Sequence, residues 1–179
     1  MKLRSCATHA RIIAIAFAAT AFVWVCSLAA QAQTAPVQKG TSMPAHATGP
    51  FDVKLAPQSD DKVGDPTIGR MSIDKQYHGD LDATSKGQML TAMSEIKGSA
   101  GYVAIERVTG TLRTASGVRS GSFALQHTGT LSRGVPQLSV TVVPDSATGQ
   151  LAGLSGKMTI NIAEGKHSYD FEYTLPDAP

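Results

Sequence analysis

The sequence predicts an all-β protein: a single closed, eight-stranded, mostly antiparallel up-and-down β-barrel, preceded by a signal peptide and a disordered spacer. Three observations carry that prediction. Eight short runs of alternating apolar and polar residues fill Phe51 to Leu175, no segment among them has the 3.6-residue period of a long helix, and turn-forming Gly, Asp and Pro separate the runs. Sequential strands with short connections favour closure, because a closed sheet leaves no edge open to aggregation. An eight-stranded barrel is either filled by its own side chains or holds one small ligand.

The first 32 residues stand apart from this pattern. Lys2, Arg4 and Arg11 form a basic region, Ile12 to Ala30 carries no charge, and Ala30-Gln31-Ala32 has the small-x-small form that signal peptidase cleaves. The mature chain is therefore expected to begin near Gln33, in the periplasm or outside the cell. An uncleaved membrane anchor is the alternative, since the apolar run is near the ~18 residues a span requires.

Three of the 16 Lys and Arg residues and both cysteines, Cys6 and Cys26, lie in this leader, while all 14 Asp and Glu lie beyond it. The mature chain is thus nearly neutral and carries no basic cluster suited to tracking a phosphate backbone, which excludes nucleic acid as an expected partner. Without cysteine it has no disulfide staple, so its core must hold it together. Its length suits one domain. The organisation expected is a signal peptide over 1–32, a spacer over 33–46 and a barrel domain over 47–176. The stretch Gln33 to Gly49, rich in Thr, Ala, Pro and Gln, shows no periodicity.

Phe51, Val53 and Leu55 alternate with Asp52 and Lys54 in the first strand. A polar loop, Asp60 to Pro66, follows. Met71, Ile73 and Tyr77 mark the second strand, and His78-Gly79-Asp80 turns into a third, from Leu81 to Met93. The fourth, Ala100 to Leu112, has two equally good faces, opened by Tyr102 and by Val103. The fifth places Phe123, Leu125, His127 and Leu131 on one face. Leu138, Val140 and Val142 form the sixth. Thr148 to Leu154 fits one turn of 3₁₀ helix. Met158, Ile160 and Ile162 mark the seventh strand, and Tyr169, Phe171, Tyr173 and Leu175 the eighth.

On these faces Tyr77, His127, Tyr169 and Tyr173 point inward and form a candidate ligand-binding set with Tyr102. His127 is the leading candidate for a general acid–base, because imidazole titrates near neutral pH; the alternative is a core histidine satisfied by a tyrosine or a carbonyl. Glu106 and Arg107 are consecutive in one strand and so face opposite ways. An interior Glu106 is a desolvated carboxylate with raised pKa, suited to proton transfer. An interior Arg107 is instead an anion-binding group, and a structural pairing across strands is the competing reading of either. If Tyr102, Ala104 and Glu106 face inward, Val103 and Ile105 form an outer apolar stripe suited to a homo-oligomer.

His46, His78, His127 and His167 have no metal-ligand spacing, and no cysteine accompanies them, so neither a metal nor a cofactor is expected. No Gly-x-Ser-x-Gly elbow, phosphate loop or dinucleotide fingerprint is present.

Several blocks occur in a fixed order: Gly79-Asp80-Leu81, Tyr102 to Leu112 (YVAIERVTGTL), Ser120 to His127 (SGSFALQH), Val142 to Ser146 (VVPDS) and Thr148 to Leu154 (TGQLAGL). With them, Ala47 to Leu175 resembles a bacterial domain-of-unknown-function family of small β-barrels, itself similar to the allene oxide cyclase-like, lipocalin-like barrels. The resemblance implies the barrel and no reaction, because fold does not carry function. Three functions are consistent with the residues: binding a small apolar or mixed-polarity ligand, a cofactor-free isomerase or cyclase using Glu106 or His127 for proton transfer, and a filled barrel serving as an oligomeric scaffold.

Overall fold

The structure, a computed structural model, describes residues 43–58 and 65–177. Eight strands succeed one another: β1 Ala45–Pro57, β2 Ile68–Tyr77, β3 Leu81–Met93, β4 Ala100–Thr114, β5 Gly117–Ser132, β6 Val135–Val142, β7 Ser155–Ala163 and β8 Lys166–Thr174. Each pairs antiparallel with its sequence neighbours, and β1 also pairs with β8, closing the barrel that the alternation predicts. The expected leader, most of the expected spacer and the core of the β1–β2 loop lie outside the described residues.

One boundary differs. β1 begins at Ala45, within the stretch that looked aperiodic, and Ala45 to Phe51 pairs with Tyr173 to His167 of β8. The alternation is hidden there because the inward positions are Ala45, Ala47 and Gly49 rather than large apolar residues. Small side chains are required: a Cβ on Gly49 would collide with the carbonyl of His78 and the Tyr169 hydroxyl.

The interior changes character along the barrel axis. At the lower end, where β1 starts, lie the turns at 78–80 and 115–116 and the long β6–β7 connection. That connection carries the expected 3₁₀ turn, Gly149–Leu151, and buries Leu151 and Leu154 in the main core. Above them Phe123 stacks on Phe171, with ring centroids 5.7 Å apart and planes within 8°, and Phe171 stacks on Tyr173 at 5.4 Å. Leu81, Val108, Leu112 and Leu125 complete this layer and are at most 1 % exposed. Full burial of each such side chain contributes about 1.5–3 kcal/mol, so the lower half holds most of the hydrophobic stabilisation.

The upper half is held differently. A second, smaller cluster of Ile73, Met89 and Ala104 lies there, flanked by Val53, Met71 and Tyr102. The ladder between β6 and β7 shrinks to one residue pair, Thr141↔Lys157, whereas β3 and β4 pair from Leu81↔Leu112 to Met93↔Ala100. The upper parts of β6 and β7 therefore present strand edges to each other without a ladder.

Candidate functional site

β4 decides which charged residue enters the barrel. Its buried positions are Ala104, Glu106, Val108 and Leu112, with Val103, Ile105 and Arg107 outward. Val103 and Ile105 are each about half exposed, at 51 % and 53 %, and with Leu90 of β3, which pairs with Val103, they form an apolar stripe on the outer wall. Arg107 lies on that outer wall, which corrects its candidacy as a cavity residue: its guanidinium donates to the Ser146 carbonyl at 3.3 Å and to Ser122 Oγ at 3.5 Å. Strand alternation allowed only one of the two charges inside, and Glu106 took the place.

Glu106 is 1 % exposed and satisfied by four donors. Its Oε1 accepts from Lys75 Nζ at 2.8 Å, His127 Nε2 at 2.9 Å and the Tyr77 hydroxyl at 3.1 Å. Its Oε2 accepts from Ser85 Oγ at 2.6 Å. Room for the side chain comes from Gly87, its partner across the β3–β4 ladder. A Cβ on Gly87 would lie 2.6 Å from that of Glu106.

This setting reverses the expected direction of the carboxyl's titration. Burial alone raises its pKa, but the hydrogen bond from His127, the charge and hydrogen bond of Lys75 and the Ser85 hydroxyl together hold it down at about 2. Glu106 is thus a firmly ionised carboxylate rather than a poised acid. Its charge, after the larger effect of burial, pushes the Tyr77 hydroxyl far above its ordinary value. Lys75 donates to both Glu106 and the Tyr77 oxygen, the latter at 3.3 Å, and sits 5.1 Å from the centre of the Phe51 ring, a cation–π distance.

Because Glu106 is ionised and only accepts, the Nε2 of His127 must carry the proton that lies between them. In the neutral imidazole Nδ1 is then a free acceptor. Nδ1 has no hydrogen bond to any described residue, and it is not among the buried polar atoms that lack a partner.

Above the cluster lies a cavity of about 450 Å³ that opens toward the upper end. Lys75 and His127 form part of its wall, and Glu106 lies behind them. The rest is mainly apolar, with Phe51, Val53, Ile73, Met89 and Ile160 prominent and Tyr102 at one side. Tyr102 is seated over Gly129, where a Cβ would strike its ring; burial raises its hydroxyl pKa.

The remaining tyrosines have other surroundings. Tyr77 belongs to the Glu106 cluster. Tyr169 points inward but its hydroxyl is committed to the β2–β3 turn, donating to the His78 carbonyl at 2.9 Å and accepting from the Leu81 amide at 2.8 Å; burial pushes it up to about 12. Tyr173 packs in the lower core. Tyr77, Tyr169 and Tyr173 do not line the cavity, which corrects the expectation that the inward tyrosines meet in one pocket.

Lys75 and Ser85 were not singled out from sequence, although Lys75 shares its parity with Ile73 and Tyr77, and Ser85 with Leu81 and Ala83. No group of three His, Cys, Asp or Glu side chains among the described residues is arranged to hold a metal ion.

Residues 47–173 match the model of a family described as protein of unknown function (DUF3224). A solved structure of a DUF3224-family protein of unknown function from Shewanella oneidensis MR-1 is 45 % identical. It aligns over 75 % of this chain and 100 % of its own, with a TM-score of 0.67. No curated protein matches the chain.

Proposed function

We propose, from the premise that the chain belongs to the DUF3224 family of proteins of unknown function, that it is an exported barrel binding one small, largely apolar molecule. The observation that carries this reading is the cavity of about 450 Å³ with two polar side chains, Lys75 and His127, converging at its floor. Ligand sites of this size are mostly apolar with a few placed polar groups. An unfilled upper half counts against the scaffold of a filled barrel, although the outer stripe at Leu90, Val103 and Ile105 suits self-association.

Native mass spectrometry of protein purified from its own host tests the binding reading. The expected result is an additional mass that denaturation removes; a bare chain that also takes up no apolar probe argues against it. Export is tested by sequencing the N-terminus of the mature form, expected to begin at Gln33, with a start at Met1 as the contrary result.

One observation favours a second reading, proton-transfer catalysis without a cofactor. Four donors and a pKa of about 2 make Glu106 a poor base, but its bond to Nε2 fixes the His127 tautomer and leaves Nδ1 as the base. In that reading Glu106 is the positioning residue. Enzyme and carrier part company on turnover: an enzyme converts the molecule retained by the barrel, and a carrier returns it unchanged.

A further inference from the structure

We propose that the cavity floor recognises an uncharged hydroxyl group, so that the ligand is a neutral, largely apolar alcohol or phenol. The inference rests on the binding reading above and adds the chemistry of the polar end. Three observations carry it.

The first is charge balance. Lys75 and Glu106 form a buried ion pair at 2.8 Å, with side chains 6 % and 0 % exposed. Its charges already cancel one for one. A ligand carboxylate at this floor would place a second negative charge close to Glu106 with only one lysine between them, and like charges in a poorly solvated site repel strongly. A ligand ammonium would face Lys75 in the same way. Both pay a desolvation cost that a neutral group avoids.

The second is the complementary hydrogen-bonding capacity of the floor. Lys75 Nζ has three hydrogens, and its two hydrogen-bond acceptors among the described residues are Glu106 Oε1 and the Tyr77 oxygen. One donor therefore remains. In its neutral form, with Nε2–H given to Glu106, His127 supplies an acceptor at Nδ1. Lys75 Nζ and His127 Nε2 bond the same carboxylate oxygen, at 2.8 and 2.9 Å, so the two side chains are neighbours on the cavity wall. A hydroxyl both donates and accepts and answers both groups. A ketone or an ether answers only Lys75 and leaves Nδ1 unpaired.

The third is the surrounding wall. Phe51, Val53, Ile73, Met89 and Ile160 offer nothing polar from their side chains to a second functional group near the floor. Thr91, Tyr102, Thr130, Gln137 and His167 also line the cavity, and a hydroxyl at the floor on a largely apolar body satisfies the site.

The test uses displacement of the neutral fluorescent probe N-phenyl-1-naphthylamine from the mature protein by three competitors that share a ten-carbon chain: 1-decanol, its methyl ether and decanoate. The probe reports on the cavity itself, and the competitors report on the floor. We expect decanol to displace the probe at about tenfold lower concentration than either competitor, the scale of one directed hydrogen bond to a buried partner. In His127→Phe the probe should still bind, and the preference of decanol over the ether should fall to within about twofold. His127→Gln, which keeps an amide to donate to Glu106 and a carbonyl to accept, should restore part of that preference. Equal potency of alcohol and ether in the wild type, or decanoate as the best competitor, overturns the hydroxyl assignment while leaving the cavity reading intact. Failure of the probe to bind the folded wild type overturns both.

Discussion

Along β4, Ala104 belongs to the upper apolar cluster and Val108 to the lower core, with Glu106 between them. Below that level the inward positions carry rings and leucines, and Phe123, Phe171 and Tyr173 pack in stacked contact. Above it the inward side chains include Val53, Ile73 and Met89, with Phe51, Tyr102 and His167 at the wall, and a cavity remains. One alternating pattern thus builds two different interiors. The inward side chains pack as a core below and leave a cavity above. The ion pair sits at the boundary, where one side supplies packing and the other supplies access.

The largest contrast should appear on truncation. Phe171→Ala removes a fully buried ring from the lower stack and should cost about 3–5 kcal/mol. Leu55→Ala, in the upper wall where the leucine is 46 % exposed, should cost under about 1 kcal/mol, since little area returns to water. Urea unfolding of both variants measures the difference, and equal costs would erase the distinction between the halves.

At the boundary, Glu106→Gln leaves the Lys75 ammonium buried without its counter-charge and should cost about 3–5 kcal/mol. The double variant Lys75→Met/Glu106→Gln should lose clearly less than the two single losses combined, because no orphan charge remains. A double-mutant cycle by denaturant unfolding gives the coupling directly. Additive losses would mean that the pair is not a unit.

Acid should act on the same group. The folded carboxyl is held at about 2, below its ordinary 4.5, so folding favours the ionised form. Its contribution is complete above the unfolded-state value and falls away as pH drops from about 4.5 toward 2. The amount at stake is on the order of 3 kcal/mol. Stability measured at several pH values in this window should decline in the wild type and flatten in Glu106→Gln. Parallel declines would place the acid sensitivity elsewhere.

A smaller effect concerns the wall. Backbone amides on the facing edges of Val135–Ser139 and Thr159–Ala163 have no ladder to protect them and should exchange hydrogen faster than those between β3 and β4. The smallest effect is expected outside: Arg107→Ala should shift stability by about 0.5 kcal/mol or less and leave probe binding unchanged.

The barrel was legible because period-two alternation survives in nearly every strand. It failed only at Ala45 to Gly49, where close packing against β8 and Tyr169 demands side chains too small to register as apolar. The site was half legible. His127, Tyr77 and Glu106 lay on inward faces, but the choice between Glu106 and Arg107 depended on ladder register, which places Glu106 opposite Gly87. Lys75 has inward parity, yet a lysine in a half-wet strand reads as a solvent residue until its counter-charge is located. Tyr169 shows the converse: parity reported its direction correctly, and only the fold revealed that its hydroxyl ties down a turn.

The division of the barrel into core and cavity is tested most directly by titrating N-phenyl-1-naphthylamine into the wild-type protein and into Ile160→Trp, whose ring would occupy the upper cavity. Saturable binding of one probe per chain by the wild type is expected, with loss of binding in Ile160→Trp and a melting temperature that does not fall. Undiminished binding by the tryptophan variant, or no saturable binding by the folded wild type, would contradict the assignment of the upper half as the ligand site.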